Sequence, residues 1–154
     1  SAARRGAYRL SELAGRYGID QFNSAIGDAF EIEEQRVLLG LSRLNKGTYP
    51  IEVIRDDGVK QSVTITIESK KLIIDLLDSP DQHIGPYNTS RDSAVIAGQM
   101  LLKIITTPAS PANDGSFRPL EVRTRKGSCF DPIFPAAQGY YFEVRMSLFD
   151  MLLR

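Results

Sequence analysis

Apolar residues in the first part of the chain recur at the three- and four-residue spacing of amphipathic helices. One stripe ends before Gly18, which predicts a helix stop; it comprises Ala7, Leu10, Leu13, Ala14 and Tyr17. A second stripe follows Asp20, a predicted N-cap, and runs to about Leu44; it comprises Phe22, Ile26, Phe30, Val37, Leu38 and Leu41. The charged positions of this second helix predict a solvated face made of Glu31, Glu33, Glu34, Arg36 and Arg43.

The pattern then changes from helical spacing to alternation. TYPIEVIR and VKQSVTITIES predict a pair of strands joined by a turn at Asp56-Asp57-Gly58. Val63, Ile65 and Ile67 alternate with small hydroxyl residues, which is typical of a half-buried strand. KKLIIDLLD predicts a third strand, and the three together predict an antiparallel meander.

A helix, a short strand and a last helix are predicted in the rest of the chain. The first helix starts at the candidate caps Thr89 and Ser90 and runs to Thr106. PLEVRTR predicts the strand, and YYFEVRMSLFDMLLR predicts the C-terminal helix after the irregular stretch KGSCFDPIFPAAQG. The predicted fold class is α+β: N-terminal helices, an antiparallel β-meander, then a helix, a short strand and a C-terminal helix. We expect residues 1–154 to form a single domain.

Composition narrows the functional class. The 19 basic and 19 acidic residues balance, so charge gives no reason to expect nucleic acid or an anionic membrane as partner. No apolar run approaches the roughly 20 residues that span a bilayer. The lone Cys129 cannot form an internal disulfide, which favours the cytoplasm. Both ends fall inside helix-like stretches, so we expect an internal piece of a longer protein.

Single residues offer little catalytic chemistry. His83 is the one histidine; this excludes a histidine-rich metal site in the chain, and its polar loop favours an exposed, non-catalytic role. Cys129 has no motif that would activate it, so a structural role is expected. Asp75 lies among apolar strand residues and needs a partner such as an arginine. The glycines match neither a P-loop nor a dinucleotide fingerprint.

Two proline-rich loops, residues 78–89 and 107–119, flank one predicted helix. Long proline-rich connectors inside a compact domain are uncommon and often functional. Asn88, Asn113 and Arg118 are polar residues at positions where proline rings restrict the backbone. Two interpretations remain open: these side chains bind a ligand's carbonyl or carboxylate, or they hold one loop against the other. The residues alone favour the second.

These loops resemble the hydantoinase B family, which includes the second half of ATP-dependent 5-oxoprolinases. Residues 75–88 are similar to its D-x6-Q-x2-G-P-x-N pattern, and residues 111–119 to its P-x-N-x-G-x2-R-P pattern. Gly127-Ser128 and the run from Pro132 to Ala137 continue the family order. The chain departs from the family at residues 78–82, where Gly-Thr-Ser-Pro-Gln is usual, and at Gln138, where valine is common.

The resemblance implies a parent subunit that opens cyclic amides, such as hydantoins or 5-oxoproline, with an ATP-using hydantoinase-A-type partner. It implies that Asn88, Asn113 and Arg118 contact the activated lactam, with Asp75 and Gln82 as supports. ATP and a divalent metal are implied for the full complex, with the metal-binding segment expected N-terminal to this region. We expect this chain to bind no cofactor itself and to be inactive alone. The alternatives are a ketone carboxylase subunit of the same family and a non-catalytic structural or subunit-docking domain.

Overall fold

The computed structural model describes residues 1–56 and 58–154; Asp57, in the predicted turn, lies outside the described residues. The elements in chain order are α1 (Ala2–Tyr17), α2 (Ile19–Ser42), β1 (Gly47–Ile54), β2 (Lys60–Ile67), β3 (Leu72–Leu76), α3 (Arg91–Thr106), α4 (Asp114–Phe117), β4 (Leu120–Thr124) and α5 (Tyr141–Leu152). The predicted α+β class is confirmed, and the short helix α4 is an element that the sequence did not predict.

Gly18 and Ser90 set three of the helix boundaries. Gly18 ends α1 as predicted, with φ of 86°, a backbone conformation that costs glycine no steric strain. Asp20 is not the cap of α2, because Gly18 takes that position and Asp20 falls in the first turn, where its charge complements the helix dipole. Ser90 caps α3 as predicted, since its Oγ accepts a hydrogen bond from the Ser93 N–H at 3.2 Å.

The sheet has the strand order β1-β2-β3-β4. The first three strands form the predicted antiparallel meander. β4 runs parallel to β3, and α3 supplies the crossover that a parallel pair requires. We call the upper end of the sheet the one where β1 and β3 finish, at Ile54 and Leu76. At the lower end β3 and β4 begin, at Leu72 and Leu120.

One face of the sheet carries the core. Alternate residues of β2 and β3 point to this face and are buried: Val63, Ile65, Leu72, Ile74 and Leu76. They pack with apolar side chains of α2, α3 and α5, among them Val37, Leu41, Ala97, Leu101, Leu102 and Leu148. Gly98 lets α3 approach the sheet closely, because a Cβ there would lie 2.9 Å from Ile74 Cδ1. The period-two alternation of the sequence therefore decides which residues form the core.

The segment 107–119 docks on α2. Within it, Gly115 of α4 is buried so tightly that a Cβ would lie 1.9 Å from the Phe30 carbonyl oxygen. Ser110 Oγ donates a hydrogen bond of 3.1 Å to Glu33, which is buried and also pairs with Arg36. The predicted solvated face is therefore wrong for Glu33, because that carboxylate holds a distant segment instead of facing water.

We predict that Gly115→Ala destabilises the chain by about 1–3 kcal/mol, the usual cost of overpacking, since the obstructing atom is backbone and cannot turn aside. The matched control is Gly27→Ala, at a helical glycine of α2 with open space around it. That change should stabilise by roughly 0.5–1 kcal/mol, because alanine loses less backbone entropy. Urea unfolding of both variants measures the difference, and equal effects would contradict this account of the packing.

Candidate functional site

Two loops meet above the upper end of the sheet, residues 77–90 and 125–140. Backbone groups join them, since Cys129 N–H donates to the Pro80 carbonyl at 3.0 Å and Thr89 N–H donates to the Cys129 carbonyl at 2.8 Å. Gln82, a predicted support, adds two more links: its N–H donates to Gly127 O at 2.8 Å, and its Oε1 accepts from Ile133 N–H at 2.8 Å. The two loops form one hydrogen-bonded unit.

Asn88 lies inside this unit and is fully buried. Its Oδ1 accepts from His83 N–H at 2.7 Å. Its Nδ2 lies 2.9 Å from His83 O, 3.1 Å from Gly85 O and 2.8 Å from Ala137 O, so its N–H groups donate to three carbonyls. Every polar atom of this carboxamide is used within the chain. The side chain closes the turn at residues 83–88 and ties it to the second loop.

Asp75 sits near the upper end of β3. Its Oδ1 accepts from Leu77 N–H at 2.9 Å, and its Oδ2 lies 3.7 Å from Arg123 Nη1 on the neighbouring strand. The sequence predicts an arginine partner for this carboxylate, and Arg123 is that partner, although both side chains are partly exposed. Asp75 therefore supports the β3–β4 pair.

Asn113 and Arg118 lie at the lower end of the sheet, against α2. Asn113 caps α4 and also donates through Nδ2 to Ala29 O at 3.1 Å. Arg118 pairs with Glu34 at 2.8 Å and stacks its guanidinium 5.9 Å from the Phe30 ring centroid. The 16 residues of α3, about 24 Å of helix, separate the loop of Asn88 from theirs. The structure does not bring the three predicted residues together.

A cleft opens beside the upper-end loops, between the sheet and α5. Its inner part has a volume of about 180 Å³ and is lined by Arg55, Gln61, Tyr87, Glu143, Val144 and Ser147. An outer part of about 700 Å³ shares Arg55, Tyr87 and Ser147 and adds His83, Asp56 and Arg154 among others. Side chains of both charges and an aromatic ring therefore surround one space. This upper-end cleft is the candidate functional site.

His83 and Tyr87 form one wall of the upper-end cleft, and Tyr140 stacks on Tyr87. The Tyr87 ring stacks on Tyr140 at 5.0 Å and meets the His83 ring edge-on at 5.4 Å. His83 Nδ1 accepts from Gly85 N–H at 2.9 Å, so the neutral ring carries its proton on Nε2. The expectation of an exposed His83 is wrong, because its imidazole is half-buried and shapes the turn that Asn88 closes.

The sequence analysis did not identify four residues of the upper-end cleft as candidate site residues: Arg55, Gln61, Glu143 and Ser147. One signal is present for Gln61, which precedes Val63 and Ile65 by two and four residues and so falls on the core face of β2. A polar residue in that apolar register is unusual and marks a special environment. Glu143 and Ser147 are four residues apart on one face of α5, but no pattern in the sequence shows what that face meets.

Two titratable groups near the loops are structural. Burial raises the pKa of Asp131, but hydrogen bonds from Lys126 and Thr124 outweigh it and bring that pKa below its ordinary value. Burial raises the pKa of the Cys129 thiol to about 11, so it is protonated at neutral pH and a poor nucleophile. Cys129 is also buried in the core, as expected for a structural residue.

The metal implied for the full complex finds no ligand cluster in the part of the chain that the structure describes. Among residues 1–56 and 58–154 no three His, Cys, Asp or Glu side chains gather as metal ligands. Acidic groups such as Asp131 and Glu121 are instead paired with cationic side chains. We therefore derive no chemical step through a metal or a nucleotide. Over the same residues, no helix is both long and apolar enough to cross a bilayer.

Comparison with known proteins assigns the family. The family model described as hydantoinase B/oxoprolinase matches residues 1–154, so the chain belongs to that family. It is 28% identical over 171 residues to a protein of Pseudomonas sp. (strain NS671) that is named as the B-type component of a "Putative D-/L-hydantoinase". That match covers 100% of this chain and 29% of the relative, so the chain spans less than a third of that protein's length.

Two solved structures share the fold. An ATP-dependent caprolactamase from Pseudomonas jessenii has a TM-score of 0.78 at 20% identity, over 97% of this chain and 26% of that one. A nucleotide-free acetone carboxylase has a TM-score of 0.75 at 18% identity, over 91% of this chain and 21% of that one. At these identities the likeness establishes the architecture and leaves the reaction open.

We predict that Asn88→Ala destabilises the chain by about 2–4 kcal/mol, because it leaves several buried backbone groups without partners. Asn23→Ala, at an exposed position of α2, is the matched control and should change stability by less than about 0.5 kcal/mol. Denaturant unfolding measures both values. Hydrogen exchange at the His83 and Thr89 amides should rise in the first variant only, and unchanged exchange would contradict the closing role of Asn88.

Proposed function

We propose that the protein to which this chain belongs opens cyclic amides in an ATP-dependent reaction, together with an ATP-using hydantoinase-A-type subunit. The family supports this proposal, as does the relative named as the B-type component of a hydantoinase. An unactivated lactam is a poor electrophile. If the partner subunit phosphorylated this oxygen with ATP, releasing ADP, the ring carbon would become open to attack by water. ATP and a divalent metal belong, in this proposal, to the complex and not to this chain.

The contribution of this chain is to position the ring in the upper-end cleft. The observation that carries this role is the convergence of Arg55, Tyr87 and Glu143 from three separate segments on one cavity. Arg55 and the His83 Nε2–H are donors suited to a developing oxyanion, and Glu143 is an acceptor for ring N–H groups. Holding a ring in fixed orientation is a large part of the rate enhancement that such a site provides.

The other predicted site residues hold loops and segments of the chain in place. Asn88 and Gln82 hold the loop that carries His83 and Tyr87 to the upper-end cleft. Asn113 and Arg118 hold the segment 107–119 on α2. For Arg118 we expect this positioning role in place of the contact with the lactam that the resemblance implies. Direct contact of Asn88 or Asn113 with the lactam stays a prediction of the resemblance, as does assignment of residues 1–154 to a single domain of a longer cytoplasmic subunit.

Two other functions have an observation in their favour. A ketone carboxylase subunit is favoured by the fold shared with acetone carboxylase. A docking domain without catalytic residues is favoured by α1, which buries none of its residues and exposes Tyr8, Leu10 and Tyr17. Both remain alternatives because neither uses the polar side chains of the upper-end cleft.

Turnover by the full-length subunit, co-purified with its ATP-using partner, tests these functions. We expect ring opening of hydantoin or 5-oxoproline, with ADP released in equal amount and no product without ATP. Acetone with bicarbonate should give no acetoacetate. Acetoacetate formation would establish the carboxylase instead, and the absence of both products would favour the docking domain.

Arg118→Ala in the full complex tests how Arg118 acts. We expect a loss of stability of at most about 1 kcal/mol, as for exposed ion pairs, and kcat/KM within about twofold of the wild type. Glu34→Gln breaks the same ion pair while keeping Arg118, so it should behave in the same way. A fall in kcat/KM of tenfold or more confined to Arg118→Ala would support substrate contact and overturn the positioning role.

A further inference from the structure

Gln61 is a buried residue whose amide oxygen has no partner. The residue is 2% exposed, its Oε1 is buried, and no hydrogen bond to that atom exists among the described residues. Leaving a buried polar group unpaired is unfavourable for folding. Such groups are rare in folded proteins, and each requires an explanation. Two residues further along β2, Val63 fills the equivalent position on the same face with an apolar side chain.

Gln61 lies beside a space that protein atoms do not fill. Gln61 lines the inner part of the upper-end cleft, about 180 Å³, with Glu143 and Ser147 on the facing helix. This volume equals about six water molecules at roughly 30 Å³ each. It is smaller than the roughly 300 Å³ where sites for drug-sized ligands begin. A single small ring is the ligand size that fits this inner part of the cleft.

The hydrogen-bonding edge of a side-chain carboxamide is matched by the edge of one kind of small ring, a cyclic amide. Its N–H donor and C=O acceptor lie side by side on one edge. An acyclic secondary amide is trans, so its N–H and C=O point in opposite directions. Closing the amide into a five- or six-membered ring forces it cis and puts both groups on one edge. A cyclic amide with a free N–H therefore forms two parallel hydrogen bonds with a carboxamide, and an open-chain amide forms one.

We propose that Gln61 is the residue that recognises the cis-amide edge of a cyclic amide in the upper-end cleft. Because Oε1 is enclosed in the unliganded chain, a turn of the amide about its last side-chain torsion is needed to present it to the cavity; there it accepts from the ring N–H, and Nε2 donates to the adjacent ring carbonyl. The Tyr87 ring, braced by Tyr140, forms the neighbouring wall of the cavity. The choice of ligand class rests on the proposed function, while the unpaired oxygen and its cavity are independent of it.

Binding of small probes to the 154-residue chain tests this role, with the Gln61 side-chain amide signals followed by NMR. We expect 2-pyrrolidinone and hydantoin to shift those signals in a saturable way. N-methyl-2-pyrrolidinone has the same ring without the N–H, and N-methylacetamide has the same groups in the trans arrangement. Both should bind at least tenfold more weakly. Equal affinity for the methylated ring, or no binding of any cyclic amide, would overturn the proposal.

Gln61→Met keeps the length of the side chain and removes its amide. It should abolish binding of 2-pyrrolidinone and leave stability unchanged or higher, because an unpaired buried oxygen is removed. Gln35→Met, at an exposed position of α2, is the matched control and should bind normally. Retained binding in Gln61→Met would refute the role of Gln61, and a large loss of stability in that variant would indicate a structural amide instead.

This result is separable from that of the proposed function. If the full complex opens cyclic amides while the chain binds none of the probes, the role of Gln61 fails and the proposed function stands. If the probes bind and the complex opens no ring, the proposed function fails and the role of Gln61 stands. In a working complex, Gln61→Met should raise KM for the cyclic amide at least tenfold with a smaller change in kcat, as expected when ground-state binding is lost.

Discussion

The upper end of the molecule depends on the buried carboxamide of Asn88. Removing an amide from water is unfavourable by several kcal/mol unless its hydrogen bonds are replaced, and here four backbone groups replace them. An aspartate at this position would lack the donors, and a leucine would lack every polar atom. The turn that carries His83 and Tyr87 to the cleft exists in this form because the neighbouring residue is an asparagine.

The chain contains two buried amides in opposite situations. Asn88 is saturated by backbone partners and fixes the loops, whereas the Gln61 Oε1 has no partner among the described residues and Gln61 lines a cavity. The same chemical group thus serves as a structural element at one site and is available to a ligand at the other. The proposed binding by Gln61 depends on the rigid loops that Asn88 fixes. A two-point hydrogen bond to a ligand is selective only when the amide and the facing wall hold their positions.

The local sequence pattern is enough to predict most of the helices and strands. It does not predict which distant residues come into contact. The meander, the Gly18 stop and the Ser90 cap follow from periodicity and capping chemistry within a few residues. The parallel direction of β4 does not, because a five-residue strand carries no signal for which neighbour it joins. Asn88, Asn113 and Arg118 stand out by their place in the family patterns, but the assumption that they share one site fails to account for the length of α3. Glu33 is misassigned because its partner, Ser110, lies far along the chain.

The contact between α2 and the segment 107–119 also has a consequence for synthesis. The partners in the Asn113–Ala29 and Arg118–Glu34 contacts are 84 residues apart. At about 5–20 residues per second, a ribosome needs roughly 4–17 seconds to make the residues that separate them. During that interval α2 is made without the segment that covers Glu33 and the Phe30 carbonyl. A nascent chain halted before Arg118 therefore holds α1, α2, α3 and the meander but lacks the ion pair that helps fix the segment 107–119 on α2.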